Sequence, residues 1–198
     1  MGVTLANADC LFMKRGNSTL TSLDTTTPQI NVMVGGQVDG SKLGIYNQGG
    51  GSYFLQRFAL RTHGAFNQTS AMQFGLEHQN PLVTGPVTGA SASFNEKSYS
   101  LLALSDPNVL MWALKPAEDG ISNAGVALRV WNMSGAESNF TVRLAGCIVA
   151  SAKQATHIET PTGDAQVSDR ALVATVAGHA METYLLKPVA ENRHAPPF

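Results

Sequence analysis

Residues 109–132, VLMWALKPAEDGISNAGVALRVWN, limit the possible architectures sharply, because they read as strand, charged turn, strand. Val109 to Leu114 is an unbroken apolar run, and Lys115-Pro116 stops it, since proline has no amide donor for a sheet ladder. Glu118-Asp119-Gly120 and Ser122-Asn123 supply turn chemistry. From Val126 the chain resumes with period two. Val126, Leu128 and Val130 share one face, and Ala127, Arg129 and Trp131 share the other. A hairpin within a β-sandwich follows, with no chemistry attached.

Comparable patterns recur. The sequence predicts a strand over residues 2–13 with a bend at Asn7-Ala8-Asp9, then strands over 17–23, 30–34, 53–62 and 70–78. Further strands are expected at 98–104, where proximity favours pairing with the 109–132 hairpin, and at 138–151. Residues 171–176 and 181–186 read as a last hairpin across Gly178-His179. Residues 35–52 are glycine-rich and lack a pattern, as functional or mobile loops do. No window of twelve residues carries a helical period. The reading is all-β, an antiparallel β-sandwich: one domain over residues 1–187, either undivided or built as packed sub-sheets over about 1–105 and 106–187, with a proline-rich tail over 188–198.

Composition narrows the partners. A formal charge of −1 without basic or acidic runs argues against nucleic acid and anionic membrane. No apolar run reaches the roughly 20 residues of a membrane span, and residues 1–15 lack the basic start and long apolar core of a signal peptide. Charged residues make up only 14%, against roughly 25% in typical domains. Either the surface is an ordinary polar β-surface, or the chain sits against more protein. Cys10 and Cys147 read as free thiols rather than a disulfide scaffold. Sequons at Asn17, Asn67, Asn132 and Asn139 arise readily in a chain this rich in Asn, Ser and Thr, and do not establish secretion.

No self-contained active site emerges. His63, His78, His157, His179 and His194 lack metal-ligand spacing. His157 and Glu159 would share a face if extended, but read as a surface pair. Gly89-Ala90-Ser91-Ala92-Ser93 is not a nucleophile elbow, and Glu118-Asp119 lies in a solvated turn. Among the aromatics, Trp112 reads as core. Tyr46, in the glycine-rich loop beside Asn47 and Gln48, is the candidate for stacking on a sugar ring, and His63, before Gly64, could face a cleft.

The order of residues adds a family resemblance. Ala113-Leu114-Lys115-Pro116-Ala117-Glu118-Asp119-Gly120 followed by Leu128-Arg129-Val130-Trp131-Asn132 resembles the late C-terminal β-domain of family 38 glycoside hydrolases, the α-mannosidases. Gly2-Val3-Thr4-Leu5 with Asn7-Ala8-Asp9, residues 20–23, the segment from Phe58 to His63-Gly64, Asn80-Pro81-Leu82, Ile158-Glu159 and residues 178–186 are similar to further family segments, in order. The resemblance implies the late part of a galactose mutarotase-like supersandwich. In that family a zinc ion and an aspartate nucleophile belong to a separate N-terminal α/β domain, so no catalytic residue, metal ligand or cofactor carries over here. Arg129 and Glu159 match recurring positions and read as structural, the arginine paired with a carboxylate. The implied partners are the α/β catalytic domain, of the same or a neighbouring polypeptide, and carbohydrate. Three functions follow: an accessory, non-catalytic β-domain; a free-standing carbohydrate-binding module relying on Tyr46; or a mutarotase-like enzyme using His63 or His78 beside a carboxylate.

Overall fold

A computed structural model of the chain describes residues 1–10, 13–32, 55–85 and 99–191. The chain divides into two compact units, Met1–Gly85 and Pro86–Phe198.

In the first unit, β1 (Gly2–Asn7) pairs antiparallel with β4 (Phe58–His63), from Gly2 opposite His63 to Asn7 opposite Phe58. The expected bend after β1 is an Asn-centred turn: the Cys10 amide donates to Asn7 Oδ1 at 2.8 Å. The second strand is not at 17–23. β2 is Met13–Arg15, paired with β3 (Ile30–Val32), whereas residues 17–27 wrap around Asp24. That carboxylate accepts from the amides of Asn17, Thr26 and Thr27 at 2.9–3.0 Å, which diverts those groups from any ladder.

The strand expected at 70–78 is a helix, α1 (Gln68–Gln79). Asn67 caps it by accepting the Ser70 amide at 2.7 Å, and the Asn80 amide closes its last turn on Leu76 O before Pro81. Its apolar residues are too evenly spread for a strong 3.6-residue stripe, so the period is hidden in the sequence. Arg61 of β4 donates to Ser70 Oγ at 3.0 Å and lies 4.6 Å from the Phe74 ring centre, which joins helix to strand.

The second unit holds the sandwich. Its strands are β5 (Leu102–Leu104), β6 (Val109–Pro116), β7 (Val126–Asn132), β8 (Ser138–Leu144), β9 (Cys147–Ala155), β10 (Pro161–Ala165), β11 (Val167–Ser168), β12 (Ala171–Val176) and β13 (Met181–Ala190), with one helical turn, α2 (Ile121–Ala124), between β6 and β7. One sheet has the order β10-β9-β13-β7-β6 and the other β11-β12-β8-β5, with every pair antiparallel. The period-two faces behave as the sequence predicts. Leu128 and Val130 from β7, Phe140 and Val142 from β8, Leu172 from β12 and Leu186 from β13 are buried in one cluster between the sheets. Each such side chain contributes about 1.5–3 kcal/mol on burial. Phe140 meets Tyr184 edge-on at 6.2 Å, and burial pushes the Tyr184 hydroxyl pKa up to about 12.

Connectivity departs from the expected hairpins. Residues 138–151 form two strands, not one, turning at Ala145-Gly146 where Gly146 has φ 70°. β5 pairs with β8 rather than with the 109–132 hairpin. β12 and β13 are consecutive but lie in opposite sheets, so the turn at Gly178-His179 is a crossover. β13 also runs on to Ala190, past the boundary expected at residue 187. Pro188 is tolerated because β7 stops pairing with β13 at Leu186 and the β9 register shifts at Lys187/Pro188.

Candidate functional site

The outward face of the five-stranded sheet carries the residues with the most chemical potential. Along β7, Leu128 and Val130 point into the core, so Ala127, Arg129 and Trp131 point away from it. On β13 their partners are Leu185, Thr183 and Met181. Near α2 this face is closed by a small cluster in which Ala117, Ala127, Ala155 and Leu185 pack with Ala124. At the other end it is open.

A β-bulge creates the opening. In the β6–β7 register Met111 faces Val130 and Ala113 faces Arg129, which leaves Trp112 as an extra residue. Trp112 is 44% exposed, not core, which corrects the reading from its apolar neighbours. The indole stands edge-to-face against Trp131, with ring centres 5.4 Å apart and planes at 88°. Trp131 is itself anchored, its Nε1 donating to His179 O at 3.4 Å. His179 has φ 57°, in a turn where Gly178 approaches Gly135 so closely that a Cβ would stand 2.2 Å from Gly135 O.

Beside the indoles, Arg129 binds no carboxylate directly among the described residues. Its Nε donates to Thr183 Oγ1 at 3.2 Å and its Nη2 to His157 O at 2.6 Å, which corrects the expected ion pair. Arg129 therefore pins the β9–β10 turn to the sheet. That turn is not extended: Glu159 has φ 66°, so His157 and Glu159 do not line a strand face as expected. The Glu159 side chain is only 6% exposed, with Oε1 at 2.6 Å from Lys115 Nζ and Oε2 accepting the Glu118 amide at 2.8 Å. Lys115 also reaches Glu118 Oε1 at 2.8 Å. The Lys115 hydrogen bond holds the Glu159 carboxyl below its ordinary range against the opposing effect of desolvation. Glu118 and then Glu159 raise the Lys115 pKa. These charged groups are spent on structure, and the Trp112 indole is the exposed feature beside them.

Tyr46 lies outside the described residues. His63 ends β4, with its ring against Gly2, where an added Cβ would meet His63 Cε1 at 2.5 Å. Its Nδ1 is 3.2 Å from Gly64 O, and Phe66 tilts against it at 6.0 Å. Nearby Gly2 and Phe66 help line a hollow of about 890 Å³ in the first unit, together with Val3, Leu5, Ile30 and Leu60. His78 sits at the other end of β4, its Nε2 3.3 Å from Arg57 O, so the two histidines do not converge. Asp9, beside His78, is engaged by Arg57 through both oxygens at 2.8–2.9 Å, and that bonding lowers its pKa to about 2. Among the described residues no three of His, Cys, Asp or Glu converge to hold a metal ion. Cys10 is buried and Cys147 half-buried. No helix among the described residues is long and apolar enough to cross a membrane.

Two packed antiparallel sheets with an apolar core define an antiparallel β-sandwich domain. Residues 108–184 match the family model of the glycosyl hydrolases family 38 C-terminal beta sandwich domain. The matched stretch runs from the residue before β6 into β13 and includes Trp112, Arg129, Trp131, Glu159 and Thr183. No curated protein matches the chain.

The sequence marked Arg129 and Glu159 but gave no sign of what they touch. Trp112 was missed as a surface residue because a bulge has no signature in an apolar run. The break in β-alternation around Met111-Trp112-Ala113 is visible only once the register with β7 is known.

Proposed function

We propose that this chain acts as an accessory, non-catalytic C-terminal β-domain of an α-mannosidase-like glycoside hydrolase, supporting an α/β catalytic domain and its carbohydrate cleft. The match of residues 108–184 to the family 38 C-terminal beta sandwich model supports the reading. Zinc, on this reading, belongs to the catalytic domain alone. The test is an aryl α-mannoside assay on the isolated chain, with and without added zinc. The expected result is no turnover above buffer. Turnover that grows with chain concentration and survives repurification would overturn the proposal.

The exposed indole of Trp112 favours one second reading, a carbohydrate-binding module. On that reading mannose oligomers bind in calorimetric titration and Trp112→Ala abolishes the heat. A flat wild-type titration would remove it.

A further inference from the structure

A separate concavity of about 330 Å³ opens in the sandwich unit, lined by Ser100, Arg143, Ala145, Cys147, Arg170 and Glu191 among others. It is framed by the β8–β9 turn, the β11–β12 turn and the residue following β13. Arg143, on β8, donates from Nη1 to Asp169 O at 2.8 Å. A guanidinium has five N–H donors, and among the described residues this bond engages one of them. Arg170 lines the same cavity, and its Nη1 pairs with the Glu191 carboxylate. Glu191 is in turn fixed by its amide, which donates to Gly146 O at 3.0 Å.

The backbone beneath Arg170 is unusual. Asp169 and Arg170 have φ 52° and 66°, two successive left-handed residues that are not glycine. Turns of this hand between paired strands favour Asn-Gly or Asp-Gly, because glycine alone adopts the second position without a side-chain clash. An arginine there is strained, so the turn itself does not account for it. Strain of this kind points to a role for the side chain. Two arginines line one small cavity, and among the described residues Glu191 is the one carboxylate that lines it.

We propose that Arg143 and Arg170 form a binding site for a small tetrahedral oxyanion of the phosphate class, with Glu191 as the internal anion that it displaces. Paired guanidinium forks match the oxygens of such a group. The Glu191 carboxylate occupies Arg170 until the ligand arrives.

The probe is inorganic phosphate, titrated calorimetrically into the full chain, with sodium chloride at equal ionic strength as control. Wild type is expected to bind phosphate saturably, and both Arg143→Gln and Arg170→Gly to weaken binding at least tenfold. Glu191→Gln is expected to tighten it several-fold by freeing Arg170. Because Arg170→Gly relieves the turn, its Tm is expected to equal or exceed that of wild type, which separates lost binding from lost folding. Three results would each overturn the proposal: phosphate heats matched by chloride, unchanged affinity in Arg170→Gly, or a lower Tm in that variant.

Discussion

Asn132 shows how much a single polar side chain can fix. It ends β7 with no exposed surface, and its Nδ2 donates to Ala136 O, Val176 O and Ala177 O at 2.8–3.2 Å, while Oδ1 accepts the Ser134 amide at 2.9 Å. One amide thus ties the β7–β8 connection to the crossover after β12. Its sequon is consequently silent in the folded state, since no glycan can be attached to an enclosed nitrogen. Asn132→Ala leaves buried carbonyls without donors and should cost at least about 2 kcal/mol, read as a lower denaturant midpoint at unchanged slope. Glu159 offers a pH-dependent counterpart. Its folded pKa lies below the ordinary value of 4.5, so its contribution is complete above pH 4.5 and is lost as pH falls through the folded pKa. With Lys115 half in solvent, Glu159→Gln should cost about 1–2 kcal/mol near neutrality. The difference between the two proteins should shrink in thermal melts taken from pH 5 downwards.

Among the elements, α1 depends most visibly on one cap. Asn67→Ala removes the acceptor for the Ser70 amide and should destabilise the first unit by about 1 kcal/mol, measurable by amide exchange along Gln68–Gln79. This helix was also the least legible element. Its residues carry no apolar stripe, so the strand reading of 70–78 rested on local alternation that tertiary packing overrode. The strands of the second unit were legible for the opposite reason: β7 and β8 bury one face each, and burial imposes period two on the sequence. Pairing was not legible. Residues 171–176 and 181–186 were recognisable as strands, but nothing local tells a hairpin from a crossover when the turn is only a few residues long. The candidate face divided similarly. Arg129 and Glu159 stood out as residues, whereas the bulge that exposes Trp112 and the left-handed turn that carries Glu159 exist only as relations between strands.

At the scale of the molecule, each of the two units has its own secondary structure, and the family model matches a stretch of the second. The sandwich there is held by its last described strand. β13 is the middle member of the five-stranded sheet, flanked by β9 on one side and β7 on the other. The β6–β7 hairpin and the β9–β10 ribbon share no ladder with each other; only β13 joins them. A nascent chain leaving the ribosome therefore carries two open sheet edges until residues 181–190 emerge, and the five-stranded sheet cannot close before then. A chain stopped at Ala180 should be recovered as aggregate, and a synthetic peptide of residues 181–190 supplied in trans during refolding should restore some soluble, cooperatively melting protein. β13 thus works as a closing wedge, and a nonsense or frameshift change anywhere before residue 181 would leave this sheet in two pieces.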